Sequence, residues 1–275
     1  MRIIIPQPQL LKHLQIVEHA VNERSTLPIL ANILFQAEEN ELVLTATDLD
    51  VGIQCRCPLT QPAERGAVTL PARKFTTIIK ELPNESVMVE AKKNQTATVT
   101  CGTSHFRIPG LPAEDFPTLL QTPGGEGVSL SQGELKALIT KTSYAMSIEE
   151  TRFILNGTLI TTQKNALVLV ATDGRRLAIA LAALNTASKQ PLQAVLPTKT
   201  IRELGRLLTD DDGEVTITPV KDNQFVFKFG PVSIVTRLIE GQFPSYDKVI
   251  QPPSKNTVSC SRALLTNAIR RASLM

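Results

Sequence analysis

Thr26-Leu27-Pro28-Ile29-Leu30, Leu42-Val43-Leu44 and Ala46-Thr47-Asp48 return 125 residues later as Thr151-Arg152-Phe153-Ile154-Leu155, Leu167-Val168-Leu169 and Ala171-Thr172-Asp173. Thr26–Gln54 falls on Thr151–Ile179 without a gap, with 11 identities in 29 positions, against roughly two by chance for an average composition. The register continues with slips of one or two residues: Leu70-Pro71 meets Leu196-Pro197, and Phe116-Pro117 meets Phe243-Pro244. Leu10 and Leu14 meet Leu135 and Ile139, which in turn meet Leu265 and Ile269, the opening of a third copy. This period lies far above the roughly 20–50 residues of solenoid repeats, so the copies are tandem globular domains. The expected domains are 1–122, 128–251 and the start of a third at 254–275, with linkers at Gln121–Gly127 and Gln251–Ser254.

Each copy is itself doubled. Met1–Ile5 reads as a strand and Gln9–Ala20 as a helix with Leu10, Leu14 and Val17 on one face. Ile29–Ala37, Leu42–Thr47 and Val51–Cys57 read as strands. The order then restarts with strand Val68–Leu70, helix Ala72–Leu82 and strands Val87–Ala91, Thr96–Cys101 and His105–Ile108. The second copy repeats it, with helices at Ser131–Met146 and Thr198–Leu208. Two helices against about eight strands per module predict an α+β fold, with helices laid on one face of antiparallel sheets.

Composition excludes several classes. No apolar run approaches the ~18 residues of a membrane span, and the N-terminus has no signal-peptide pattern, so the reading is a soluble cytoplasmic protein. Cys55 and Cys57 are too close for an ordinary disulfide and lack zinc partners, and they read as buried or half-buried thiols. His13, His19 and His105 are dispersed without metal spacing. Asp210-Asp211-Asp212-Gly213 lacks the alternating ligands of a calcium loop, and Gly124-Gly125-Glu126-Gly127 lacks the Lys-Ser/Thr of a phosphate loop. No metal, cofactor or catalytic residue is expected.

Net charge is only +3, but it is segregated. The predicted helices carry 13 basic and 5 acidic residues, so the rest of the chain is net −5. Lys and Arg scattered over helices suit phosphate contacts without base readout, and no aromatic residues interleave with them as a stacking platform. The alternative is an ordinary solvated helix face. The candidate contacts are Arg24, Arg73, Lys80, Lys141, Lys199, Arg202 and Arg206, with duplex DNA as the polyanion.

Thr26-Leu27-Pro28-Ile29-Leu30, Leu70-Pro71-Ala72-Arg73-Lys74-Phe75, Ala171-Thr172-Asp173-Gly174-Arg175-Arg176-Leu177-Ala178 and Glu240-Gly241-Gln242-Phe243-Pro244-Ser245-Tyr246, set in the doubled module, resemble the bacterial sliding clamp family, the β subunit of DNA polymerase III. The resemblance runs from Met1 to Met275. It implies the DNA-clamp fold and a head-to-tail homodimer closing a ring of six similar domains around duplex DNA. It also implies a processivity factor rather than an enzyme, partnered by the polymerase catalytic subunit, the clamp loader and other proteins with clamp-binding motifs.

The same resemblance implies site residues. A partner-peptide groove maps to Leu155, Thr172, Gly174, Arg175, Arg176, Leu177, Pro244, Lys248 and Val249, with Leu155, Leu177, Pro244 and Val249 as floor. Lys248 stands where the family commonly has Arg, and Arg175 where His is common. The dimer interface maps to Lys74, Ile78, Leu82 and Phe106, facing Leu274 and Met275. Asp173 reads as structural, since its twin Asp48 sits at the same strand end.

The third module is expected to continue for ~100 residues by the repeat length. The printed chain is therefore read as C-terminally truncated, unable to close a normal ring, and monomeric or dependent on a partner. Two further readings stay open. One is a hydrolase built on Asp48 or Asp173, which lacks a neighbouring His, Cys or Lys in sequence. The other is an interaction scaffold that never meets DNA.

Overall fold

A computed structural model describes residues 1–22, 25–92, 94–119, 127–184, 191–250 and 255–275. Both expected linkers and Arg24 lie wholly or largely outside these ranges. The described residues form two units, Met1–Gln242 and Phe243–Met275.

The first unit holds all the strands and the first four α-helices. The first module runs β1 (Arg2–Pro6), α1 (Gln7–Val17), β2 (Asn32–Ala37), β3 (Glu41–Thr47) and β4 (Val51–Pro58). Its second half is β5 (Gly66–Pro71), α2 (Ala72–Glu81), β6 (Ser86–Ala91), β7 (Thr96–Cys101) and β8 (Ser104–Pro109). The second module repeats this as β9 (Val128–Ser131), α3 (Gln132–Thr142), β10 (Gly157–Gln163), β11 (Ala166–Thr172) and β12 (Leu177–Ala183). Then follow β13 (Gln193–Pro197), α4 (Thr198–Leu207), β14 (Glu214–Val220), β15 (Gln224–Phe229) and β16 (Val232–Arg237). The α+β class and the doubled strand–helix–three-strand order stand as read.

Element ends differ in ways local chemistry explains. α1 begins two residues early, because Pro8 occupies the first turn, where a missing N–H costs nothing. It tightens to a 3-10 turn at Glu18–Ala20. Pro28–Ala31 is a 3-10 turn rather than the start of a strand, so β2 opens at Asn32. α3 stops at Thr142, whose Oγ1 donates to the carbonyl of Leu138, and a 3-10 turn follows. Ser131 and Glu134 form a reciprocal cap at the start of α3.

The halves exchange their first strands. β1 pairs with β6 of the second half, and β5 pairs with β2 of the first. The second module does the same with β9–β14 and β13–β10. Every pairing is antiparallel. The helices of the first unit turn their apolar sides inward: Phe75 and Ile79 from α2, Ile201 and Leu204 from α4 are all buried. Phe35 of β2 and Phe75 meet edge-to-face, with centroids 4.9 Å apart. With no Trp in the chain, the remaining core is largely aliphatic.

The two modules share a sheet. β4 pairs with β16 in the register Val51↔Thr236, Gly52↔Val235, Ile53↔Ile234, Gln54↔Ser233 and Cys55↔Val232. The result is one eight-stranded sheet, β5-β2-β3-β4-β16-β15-β14-β9. Joining two edges removes two rows of unpaired backbone groups that would otherwise invite aggregation. Sheets β1-β6-β7-β8 and β12-β11-β10-β13 flank it.

The second unit contains a 3-10 turn at Asp247–Val249 and α5 (Arg262–Ala272). Leu265 and Ile269 of α5 are exposed, whereas their repeat counterparts Leu135 and Ile139 are buried.

Candidate nucleic-acid and peptide interfaces

The strand-end turns set the local geometry of the candidate sites. Asp48 Oδ1 accepts from the N–H groups of Asp50 and Val51 at 3.0 and 2.8 Å, and Thr47 Oγ1 accepts from Leu49 N. The second module copies it: Asp173 Oδ1 accepts from Arg175 and Arg176 at 2.9 and 3.0 Å, and Thr172 Oγ1 from Gly174 N. The third turn position is left-handed in both, filled by Gly174 (φ 87°) and, at some strain, by Leu49 (φ 81°). Both aspartates are therefore turn-builders. The N–H groups of Arg176 and Arg175, with the Arg176 guanidinium, hold the Asp173 carboxyl below the usual carboxylate range.

The turns differ at the second oxygen. Asp173 Oδ2 accepts from its own Arg176 Nε at 3.0 Å. Asp48 Oδ2 accepts from Lys199 on α4, in the other module. Sequence reading found no Lys near Asp48, because this one is 151 residues away.

Lys199 is not the only basic helix residue engaged at the seam. Arg206 donates to the carbonyls of Gln15 and Ile16 at 3.2 and 3.0 Å, in the last turn of α1. That turn has no basic residue of its own to oppose its negative dipole end. Arg206 Nε also donates to the buried Glu203 at 2.9 Å, and His19 Nδ1 stands 4.0 Å from the same carboxylate. Of the other candidate DNA contacts, Arg73, Lys80, Lys141 and Arg202 are exposed on their helices, and Arg24 lies outside the described residues.

Six groove candidates cluster in the first unit. Leu155 is buried, Thr172 and Leu177 are half-buried, and Gly174, Arg175 and Arg176 are exposed. Arg176 also stacks over Tyr144, 5.7 Å from the ring centroid. Pro244, Lys248 and Val249 belong to the second unit and are exposed there.

Lys74 and Phe106 are exposed and Ile78 is half-buried. Lys74 and Ile78 border an open hollow of about 480 Å³ with Ala31 and Pro71. Leu82, expected at an interface, is instead 8% exposed and packs in the core. It caps the end of α2 with an extended backbone, its N–H donating to Ile79 O. Leu274 and Met275 are exposed in the second unit.

Among the described residues no cluster of His, Cys, Asp and Glu could hold a metal, and no helix is long and apolar enough to cross a membrane. Cys55 and Cys57 are buried at the seam. Burial, with Cys57 adjacent, pushes the Cys55 thiol up to about 12, and burial pushes Cys57 up to about 11.

Repeated strand-swapped modules joined edge to edge, with basic residues on the helix faces, define a DNA-clamp fold. Known proteins of this kind match closely. A crystal structure of the sliding clamp from Pseudomonas aeruginosa superposes with a TM-score of 0.94 at 37% identity, covering 100% of this chain and 74% of that one. The Bacillus subtilis clamp gives 0.86 at 31% identity, over 93% and 69%. The beta sliding clamp of Pseudomonas putida is 37% identical over all 275 residues, which span 75% of its length. The family descriptions "DNA polymerase III beta subunit, N-terminal domain" and "central domain" match residues 1–120 and 129–245. The chain belongs to the beta sliding clamp family, the non-catalytic processivity subunit of DNA polymerase III.

Proposed function

We propose that this chain provides clamp modules 1–122 and 128–251 and the opening of a third at 254–275, enclosing duplex DNA without sequence specificity as part of a head-to-tail homodimeric ring. The β4–β16 seam carries this reading. A sheet that continues from one module to the next can propagate through further modules, and a heterologous contact repeated in this way closes into a ring when its rotation allows. Arg73, Lys80, Lys141 and Arg202, with Arg24, supply mobile phosphate contacts. Lys199 and Arg206 hold the seam and add to the field. Leu155, Thr172, Gly174, Arg175, Arg176 and Leu177 supply the groove for short motifs of the polymerase catalytic subunit, the clamp loader and other partners, and Pro244, Lys248 and Val249 are separate candidates for partner contact. Lys74, Ile78 and Phe106 face Leu274 and Met275 of the next subunit in the ring.

The test is duplex DNA binding as a function of salt, for the wild type and for a Lys80→Glu/Lys141→Glu/Arg202→Glu variant. Each lost phosphate contact flattens the log–log salt slope by about 0.9, so the variant's slope should fall by about 2–3. An unchanged slope favours a scaffold that does not meet DNA.

A further inference from the structure

At the β4–β16 seam lies a cavity of about 260 Å³ bordered by Thr47, Asp50, Gly52, Leu119, Val235 and Arg237. Gly52 is the key position. A Cβ there would sit 2.4 Å from Leu119 Cδ2 and 2.8 Å from Cδ1, so the missing side chain is what seats Leu119. The repeat counterpart of Gly52 is Leu177, which fills its own position.

The segment carrying Leu119 is held unusually. Phe116 is buried and anchors it, its N–H donating to Ala113 O. Beyond Phe116, among the described residues, Pro117, Thr118 and Leu119 make no hydrogen bond, and the side chains of Gln224 and Arg237 that border the cavity have no polar partner. Among the described residues this segment is thus held beside the seam by the Leu119 side chain against Gly52, next to polar groups ready to take a peptide backbone.

We propose that this cavity is a peptide-binding site and that Leu119 is its intramolecular occupant, exchangeable for an extended partner segment with proline two residues before a leucine-type side chain. Thr47, Leu49, Asp50 and Gly52 are the repeat counterparts of Thr172, Gly174, Arg175 and Leu177, so the cavity is the first-module twin of the groove proposed above. That analogy rests on the groove reading, whereas the Gly52–Leu119 geometry does not. A tethered side chain acts at an effective concentration in the millimolar range, so it masks the site from weak free ligands.

The test uses the whole chain and a blocked Gly-Pro-Thr-Leu peptide, followed by backbone amide NMR. Leu119→Ala should bind it at least about tenfold more tightly than wild type, given that masking, with shifts centred on Gly52 and Val235. Leu119→Ala/Gly52→Val, whose new side chain refills the seat, should lose the binding. Wild type at millimolar peptide should show the same shifts weakly, which reads the site without any variant. Equal binding by wild type and Leu119→Ala, binding that survives Gly52→Val, or shifts confined to residues around Leu177 overturns the proposal. The last result leaves the groove reading intact, and loss of groove binding on its own leaves this one intact.

Discussion

Lys199 of α4 donates its ammonium to Asp48 Oδ2, across the seam between the two modules and 151 residues back in the chain. Asp48 also caps two N–H groups of its own turn, so its removal costs more than the ion pair alone. Asp48→Ala should lower unfolding stability by about 2 kcal/mol, since N–H groups go unsatisfied. Lys199→Met should cost about 0.5–1 kcal/mol, the range of a partly exposed pair. A double-mutant cycle by urea unfolding should return a coupling of similar size to the latter, and zero coupling would show that the two residues do not hold the seam.

The cysteines offer a probe of the same seam. Cys55 and Cys57 lie on β4 and Cys101 on β7, all buried, while Cys260 is exposed. Only a thiolate reacts, and burial drives the first two thiols far above neutral pH. At pH 8 an aromatic disulfide reagent should modify one of the four cysteines rapidly, and all four after unfolding in guanidinium. A second fast equivalent in native protein that persists in Cys101→Ser would mean that β4 opens.

Most of the architecture was legible because it was written twice. The repeated Leu-Val-Leu and Ala-Thr-Asp segments gave β3 and β11 and the turns after them, and apolar periodicity picked out the helices. Which half each first strand joins was not legible: β1 pairs with β6 across a whole half-module, and element order alone is the same for either pairing. The candidate contacts were legible by residue type but not by use. Lys199 and Arg206 look like any other solvated helix cation until α4 is laid against the end of α1. Leu82 follows the apolar pattern of α2 and goes to the core. Gly52 carried no signal, because its role depends on a leucine 67 positions later in the chain.

Asp173 predicts an acid-side effect. Its native pKa lies below the ordinary 3.8 because the charged form accepts from Arg176 and Arg175 N–H and pairs with the Arg176 guanidinium. The stability it contributes is therefore fully present above pH 3.8 and is lost as pH falls through the native pKa. Carboxyl carbon NMR should show Asp173 titrating below the ordinary carboxylate value of 3.8. In Asp173→Asn, whose amide oxygen still accepts from the turn, the loss of stability below pH 3.8 should shrink. An Asp173 that titrates at or above 3.8 contradicts the turn's hold on its charge.

Arg202 and Arg206 sit one turn apart on α4 and separate seam chemistry from DNA chemistry. Arg202 is exposed and makes no ion pair among the described residues. Arg206 neutralises Glu203, which is 8% exposed, and caps two carbonyls of α1. Taking away Arg206 leaves a buried carboxylate with, among the described residues, His19 as its remaining ion-pair partner, and breaking such a pair from one side costs about 3 kcal/mol or more. Arg206→Met should thus lower urea stability by about 2–3 kcal/mol, discounted because Arg206 is itself partly exposed. Glu203→Gln in the same chain should restore part of it, since the orphaned charge is gone. Arg202→Met should change stability by less than about 0.5 kcal/mol while flattening the DNA salt slope by about 0.9. If both single variants flatten the slope equally and neither alters unfolding, Arg206 contacts phosphate rather than the end of α1.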